Sequence, residues 1–242
     1  MKIRFFLPLI TLQFFFVSCA ATLNGSLAIN GSGDLSLRAS LEPRMSALIR
    51  SFAAVSLGAE AARNRPVIDG PAIARSMAAA PGITEVSFTN TGPSAIEGPI
   101  KISRMDEFLA LPGNQGESRF IIYEQIPSGG GRLALFLDCG SGPKLLALIS
   151  REVADYLSVL MAPVATGESL TKGEYLVLVS SIYGKGVADE ITAAKIRAVV
   201  DFPGPVSSVR GGAYTGRRAV FEVPLLDLLV LESPLNYEIL WD

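Results

Sequence analysis

Hydrophobic and polar residues alternate along several short stretches of the chain. Apolar residues occupy every second position over 34–41, directly after the turn-forming sequence Asn-Gly-Ser-Gly at 30–33. Alternation of this kind turns one face of a strand toward a core, and glycine supplies the positive φ that tight turns need. The pattern therefore predicts a β-hairpin whose first strand covers 23–29.

After Pro43 the spacing of apolar residues changes from that of a strand to that of a helix. Apolar residues from Met45 to Phe52 recur at spacings of three and four, which predicts a core-facing helix that ends near Gly58. The polar segment 60–65 predicts a loop, and Asp69 is placed to cap a second helix. The rest of this half predicts strands at 83–88 and 98–103, a turn at 90–94 and a helical turn at 106–109.

The segment 111–116, which reads LPGNQG, has the composition of a linker, and the pattern restarts after it. The second half predicts strands at 119–126 and 132–137, helices at 145–160, 170–183 and 187–194, and strands at 195–202, 218–223 and 235–241. The stretch 225–231 is continuously apolar and is therefore expected to be buried.

The two halves share short motifs in the same order. The run 43–49 reads PRMSALI and the run 143–149, one hundred residues later, reads PKLLALI. Gly33-x-Leu35-x-Leu37 matches the pattern at 131–135, and the strand and turn at 100–108 match 221–229. Chance similarity between two amphipathic units remains an alternative, but the conserved order favours an internal duplication.

These patterns predict an α+β fold, with a mostly antiparallel sheet packed by helices on one face and built from two related hairpin–helix–strand units. The predicted organisation is a signal at 1–18, a first unit at 19–112 and a longer second unit at 117–242. The two units can share one sheet and form a single domain.

The N-terminus carries a basic pair, Lys2 and Arg4, followed by an apolar stretch over 5–17. At about 1.5 Å per residue, such a stretch is too short to cross a hydrocarbon core of roughly 30 Å as a helix. It has the character of a secretory signal rather than of a transmembrane span. A plain secretory signal with an incidental cysteine at position 19 is the simplest alternative to a lipidation signal.

The end of this segment, Phe16-Val17-Ser18-Cys19, resembles the lipobox of bacterial lipoproteins, although Phe16 stands where that family prefers leucine. Relaxed lipoboxes of this kind occur in spirochaete lipoproteins. The resemblance implies that the chain is cut before Cys19 and that Cys19 is the lipid attachment residue. The hairpin and Leu-Glu-Pro at 31–43 are similar to treponeme-type lipoproteins, and the segment 202–241 resembles the closing strands of uncharacterised envelope lipoproteins. Neither resemblance implies a catalytic residue.

The amino-acid composition excludes several classes of catalysis and of partner. The chain contains no histidine, which removes His-based acid–base catalysis, Ser-His-Asp and Cys-His nucleophile systems and nearly all zinc catalysis. Loss of Lys2 and Arg4 with the signal lowers the basic count from 21 to 19 against 23 acidic residues, a net charge of −4. Without a basic cluster, no nucleic-acid partner is expected. Cys139 is the only other cysteine, and it is expected to be a core thiol.

The remaining candidate groups favour structural roles. Asp106 and Asp227 hold matching positions in the two units and are expected to cap helical turns, while Asp189-Glu190 is expected to lie on a solvated face. Tyr156, Tyr175 and Tyr183 are expected to pack in the core. The glycine run at 129–131 lacks a phosphate-binding motif and predicts a hairpin turn. No catalytic, metal or cofactor site is predicted.

The sequence thus favours a non-enzymatic lipoprotein of the bacterial cell envelope, facing the periplasm or the cell exterior, with roles in binding or assembly. Its expected partners are the membrane, through the lipid anchor, and a lipid or an envelope protein. The alternative is a carrier of a lipid or another hydrophobic ligand, with a pocket between helices and sheet. A carboxylate-based envelope hydrolase is a minor alternative.

Overall fold

The computed structural model describes residues 19–110, 114, 119–126, 129–148, 154, 158, 160–162, 167 and 169–242. Its strands are β1 Cys19–Leu27, β2 Gly33–Ser40, β3 Ile83–Val86, β4 Thr89–Gly92, β5 Ala95–Ile102, β6 Ile121–Gln125, β7 Gly131–Leu137, β8 Lys195–Asp201, β9 Val206–Arg210, β10 Gly212–Thr215, β11 Arg218–Pro224 and β12 Leu235–Trp241. Its α-helices are α1 Pro43–Leu57, α2 Ala59–Asn64, α3 Gly70–Met77, α4 Met105–Leu109, α5 Lys172–Tyr183, α6 Lys185–Ala193 and α7 Leu225–Val230, and a 3₁₀ helix covers Gly142–Leu148.

The strands form two sheets. The larger, eight-stranded sheet has the order β10-β11-β8-β1-β2-β5-β3, with β4 also paired to β5, and the smaller sheet has the order β6-β7-β12-β9. All pairs are antiparallel except β1 with β8. The predicted α+β class with a mostly antiparallel sheet is confirmed. The larger sheet takes strands from both halves of the sequence.

One face of the larger sheet is buried, partly by helices and partly by the smaller sheet. Leu27, Ile100 and Val200 from the larger sheet share one apolar cluster with Ile239 and Trp241 from β12. The Phe202 ring lies 4.9 Å from the Trp241 ring, measured between centroids. The smaller sheet as a second covering layer was not part of the expectation from sequence, which had placed only helices there.

The opposite face of the larger sheet is ionic. Arg38 pairs with Glu97 at 3.0 Å across β2 and β5, and Arg218 pairs with Asp201 at 2.8 Å across β11 and β8. Lys101 pairs with Glu85 at 2.7 Å on the β5–β3 side. These side chains are largely exposed, so each pair adds little stability, but together they mark a solvated surface.

Four of the described helices gather at one end of the larger sheet. The helix α1 follows β2, α6 precedes β8, α7 follows β11, and α5 leads into α6. Their buried side chains form a separate cluster that includes Met45, Ile49, Tyr175, Val179 and Ile191. We call this group of α1, α5, α6 and α7 the helical end. The hairpin turn between β1 and β2 lies at the opposite end of the same sheet.

The two predicted units contain matching local elements, but their strands pair differently. Both matching glycines, Gly33 and Gly131, begin the second strand of a hairpin, and Pro43 and Pro143 both lie in the first turn of a helix. Likewise β5 leads into α4 as β11 leads into α7. However, β2 pairs with β5, whereas β7 pairs with β12 and not with β11.

Several predicted details were wrong. The polar segment 60–65 is largely helical in α2, because Ala62 packs into the core at 4% exposure. The predicted turn at 90–94 starts too early, since β4 extends through Gly92. The strands β9 and β10 were not predicted as separate elements, and every residue of β10 is exposed.

Other predictions fall largely outside the described residues. These are the signal at 1–18, most of the helix predicted at 145–160 and most of the linker at 111–116. In the linker, Asn114 is described and is buried. Its side-chain amide donates to the carbonyls of Leu109 at 2.8 Å and Ile121 at 2.9 Å, and its carbonyl accepts from the backbone of Phe120 and Ile121. Asn114 therefore ties the end of α4 to the start of β6.

Candidate membrane-attachment site

Cys19, the predicted lipid attachment residue, is the first residue of β1. Its backbone is in register with Lys195 at the start of β8, and a bulge separates it from Ala21. On the other side of β1, Ala21 is paired with Ala39 near the end of β2. The strand that begins at Cys19 is therefore an interior strand of the larger sheet, bonded on both edges.

The helical end surrounds the backbone at the start of β1. Lys195 comes two residues after the end of α6, and Pro224, which pairs with Lys195, comes directly before α7. The Leu225 backbone N–H donates to the Ala194 carbonyl at 2.9 Å and so closes this junction. No loop separates Cys19 from the folded body.

The described part of this junction encloses little space. A cavity of about 20 Å³ is bounded by Ala20, Ser40, Leu41, Met45 and Ile191, among others. A volume of that size holds roughly one water molecule. It does not correspond to the lipid-sized pocket that the carrier hypothesis requires between helices and sheet.

Glu190 has a role that the sequence did not predict. Its carboxylate accepts the backbone N–H of Arg44 at 3.0 Å and that of Met45 at 2.7 Å, in the first turn of α1. Glu42, the residue directly before α1, does not cap this helix with its own side chain. A carboxylate at a helix N-terminus satisfies orphan donors and favours the helix dipole. The expectation of a solvated face was therefore wrong for Glu190, which fastens α6 to α1.

The neighbouring Asp189 does face solvent. It pairs with Lys185 at 2.8 Å, one turn earlier on α6. The adjacent acids thus point to different partners, as neighbours on a helix must. They do not form a carboxylate pair that could share a proton.

Asp106 and Asp227 do not cap their helices. Asp106 lies inside the first turn of α4 and pairs with Arg104 at 2.5 Å, and Asp227 lies inside the first turn of α7 and pairs with Lys172 at 2.8 Å. The hydrogen bond that Arg104 donates to Asp106 lowers the pKa of Asp106, and the hydrogen bond that Lys172 donates to Asp227 raises the pKa of Lys172. Because β5 and β11 end at opposite ends of the sheet, the two acids are far apart and cannot share a substrate.

Cys139 is partly buried after β7 rather than fully inside the core. Its thiol donates to the Leu231 carbonyl at 3.1 Å and accepts from the Ser169 hydroxyl at 3.5 Å. The turn that follows is organised by Asp138, whose Oδ1 accepts from the backbone of Gly140 and from the backbone and hydroxyl of Ser141. Hydrogen bonds from Ser141 lower the pKa of Asp138.

The tyrosines divide between core and surface. Tyr175 is 3% exposed and its hydroxyl donates to the Leu160 carbonyl at 2.8 Å, so the core role predicted for it is confirmed, and burial raises its pKa. Tyr183 is partly buried and meets Phe52 edge to face, with centroids 5.8 Å apart. Tyr156 lies outside the described residues.

The glycine run at 129–131 forms the predicted hairpin turn. Gly129 donates to the Ile126 carbonyl with a φ of 103°, a value that favours glycine. Arg132 follows in β7 and pairs with Glu238 of β12 at 2.7 Å.

The described residues contain neither a metal-binding cluster nor a membrane-spanning helix. Within them, acidic, cysteine and histidine side chains form no group of three that could hold a metal ion. None of the helices described here has both the length and the apolar character needed to cross a bilayer.

Comparison with known proteins gives little further guidance. No family model matches the chain, and no curated protein matches it. The NMR structure of the folded domain of LppM from Mycobacterium tuberculosis is similar at a TM-score of 0.40 and 10% identity, over 95% of this chain and 93% of that one. These values describe a distant likeness in chain path.

Proposed function

We propose that this chain is a lipoprotein of the bacterial cell envelope, held on a membrane by acylated Cys19 and acting through binding or assembly rather than catalysis. The observation that carries the proposal is the position of Cys19. It follows an apolar segment and a small residue, as in a lipobox, and it is also the first residue of an interior strand.

This position suits a permanent anchor. Each buried methylene contributes roughly 0.8 kcal/mol, so one acyl chain binds weakly and two or three hold firmly. Because Cys19 begins β1 directly, the body would sit against the bilayer without a flexible stalk. The spirochaete-type resemblance of the N-terminus supports the same proposal.

The non-enzymatic part of the proposal is supported by the partners of the candidate acids. Asp106 and Asp227 are each held by one cation, and Glu190 is used as a helix cap. A hydrolase would need two carboxylates around one substrate bond. The carrier alternative receives no support from the junction cavity of about 20 Å³.

Metabolic labelling with radioactive palmitate tests the anchor. The wild-type chain and Cys139→Ala should both incorporate label, because each retains Cys19. Cys19→Ala should incorporate none and should leave the membrane fraction on carbonate extraction. Equal labelling of Cys19→Ala and wild type would refute the anchor. Cys139→Ala is the matched control, because it also removes one of the two cysteines.

A further inference from the structure

The helix α5 carries large apolar residues on its outer side as well as on its inner side. Its inner side packs into the helical end through Tyr175 and Val179, which are both buried. Its outer side carries Val177 and Ile182, with 71% and 60% of their surface exposed, together with Leu178. A surface helix normally has a polar outer face, and a helix that is apolar all round is normally covered.

The neighbouring helix α1 extends this surface. Val55 is 89% exposed near the end of α1, one turn after Phe52. Phe52 meets Tyr183 edge to face, which brings this end of α1 beside the end of α5 that carries Ile182. We call Val55, Val177, Leu178 and Ile182 together the apolar helical patch.

Two serine hydroxyls on α1 and α5 are already satisfied within their own helices. The Ser181 hydroxyl donates to the Leu178 carbonyl at 2.8 Å on α5. The Ser51 hydroxyl donates to the Leu48 carbonyl at 2.6 Å on α1. A hydroxyl bonded within its own helix can leave bulk water at a smaller cost than a free one.

Uncompensated positive charge lies next to the patch. Two surface grooves of about 630 Å³ and 430 Å³ flank α1, and their described lining includes Arg44 and Lys185 in the first and Arg50 and Arg63 in the second. Asp189, the acid in the described lining, is paired with Lys185. Among the described residues, Arg44 and Arg63 have no carboxylate partner within 4.0 Å. Arg50 also has no carboxylate partner there, but its guanidinium donates to the carbonyls of Ala62 and Arg63.

The patch belongs to the same end of the molecule as Cys19. The backbone of Cys19 is in register with Lys195, two residues beyond α6, and no spacer follows it. A bilayer that holds Cys19 must therefore meet the helical end. The ionic sheet face, by contrast, already pairs Arg38 with Glu97 and Arg218 with Asp201.

We propose that the apolar helical patch docks on an anionic lipid surface, with its valine, leucine and isoleucine side chains among the acyl chains and the unpaired arginines at the headgroups. Exposed apolar side chains bordered by cations are the recognition features of interfacial helices. This inference rests on the proposed anchoring at Cys19. It adds that the body has one fixed orientation on the membrane.

Tryptophan quenching by brominated lipid tests the contact. The full chain is purified from membranes, with its N-terminus as the cell processes it, and is reconstituted into vesicles of brominated phosphatidylcholine and phosphatidylglycerol. Ile182→Trp reports on the patch. Ile29→Trp is the matched control, because Ile29 is also an isoleucine with 64% exposure and lies at the far end of β1. The native Trp241 is buried and supplies a constant baseline.

We expect quenching at position 182 to exceed that at position 29 by roughly twofold or more. Arg44→Gln combined with Arg63→Gln should reduce the quenching at position 182, while Arg38→Gln on the ionic sheet face should not. Added salt should act in the same direction as the double substitution.

The other outcomes overturn the inference. Equal quenching at the two positions means that the body has no preferred face. A vesicle-bound protein without quenching at position 182 refutes lipid docking while leaving the anchor intact. Light scattering without vesicles measures whether the protein forms a concentration-dependent dimer. A dimer that covers the patch identifies a second copy of the chain as the occupant instead. A protein that fails to float with the vesicles refutes the anchor, and the docking falls with it.

Discussion

Glu190 and Met45 are 145 residues apart in the chain, yet the Glu190 carboxylate accepts the Met45 backbone N–H at 2.7 Å. The same carboxylate accepts from Arg44 at 3.0 Å, so α1 from the first unit is capped by α6 from the second. The contact lies where both helices meet the start of β1. It couples the two halves of the sequence at the proposed membrane end.

Removal of this cap should destabilise the protein measurably. Glu190→Ala leaves two N–H groups of α1 without their acceptor, and loss of a cap costs about 1–2 kcal/mol. Urea unfolding should show that loss in the free energy of unfolding. Asp189→Ala is the control, since it removes only an exposed i,i+4 pair worth about 0.3–0.5 kcal/mol. Equal losses from the two substitutions would contradict the capping role of Glu190.

Asn114 should be the most sensitive polar residue among those described in the connection between the units. It is 2% exposed and makes four hydrogen bonds to backbone groups of Leu109, Phe120 and Ile121. Asn114→Leu leaves these buried groups unpaired, and each such group costs about 1–3 kcal/mol. We expect a loss of roughly 3 kcal/mol or more by urea unfolding.

The exposed Asn236 provides a comparison for that measurement. Asn236→Ala should change the free energy of unfolding by no more than about 0.5 kcal/mol. If Asn114→Leu is equally mild, then the four hydrogen bonds do not hold the connection.

The turn after β7 should contribute to stability in a pH-dependent way. Hydrogen bonds from Ser141 lower the pKa of Asp138 in the folded protein below its unfolded value of about 3.9. The ionised carboxylate therefore stabilises the fold above that value, and its contribution is lost as the pH falls through the folded pKa. Asp138→Asn should show a shallower fall in the free energy of unfolding over this acidic range than wild type.

Carbon-detected NMR titration of the Asp138 carboxyl group tests whether the hydrogen bonds from Ser141 lower its pKa. Ser141→Ala removes the hydroxyl donor and keeps the backbone N–H, and it should raise the pKa of Asp138 part of the way toward its ordinary value. An unchanged pKa in Ser141→Ala would show that the turn does not produce the shift.

The number of free thiols should show whether Cys19 is acylated. The chain has two cysteines, and acylation of Cys19 leaves Cys139 as the one free thiol. Membrane-extracted protein should therefore react with one equivalent of Ellman's reagent after denaturation, and Cys139→Ser should react with none. In the folded state the reaction should be slow, because the thiol is partly buried and bonded to the Leu231 carbonyl. Two reactive thiols in the extracted protein would mean that Cys19 is unmodified.

The local pattern of hydrophobic and polar residues correctly predicted elements that bury one face. The alternation over 34–41 corresponds to β2 at Gly33–Ser40, and Asp69 caps α3 through a bond from the Ala72 N–H at 2.9 Å. These predictions succeed because turn chemistry and burial act within a few residues. The helix α2 was missed because its polarity suggested a loop, although alanine has a high intrinsic helix propensity.

Contacts between elements that are distant in sequence could not be predicted from local hydrophobic patterns. The cap formed by Glu190 depends on α6 crossing the start of α1, which no spacing within either helix specifies. Asp106 and Asp227 were expected to be caps from their position before apolar residues, but Arg104 and Lys172 hold them inside the first turn. The split of β7 and β11 between two sheets also has no local signal.

The place of Cys19 in the sheet has a mechanical consequence. A tether attached at the first residue of β1 pulls along that strand, and the hydrogen bonds to β2 and β8 run across it. Such a load shears both ladders at once instead of opening them one bond at a time. Forced unfolding follows the height of the unfolding barrier, so a tether in this position should let the folded body withstand a pulling force.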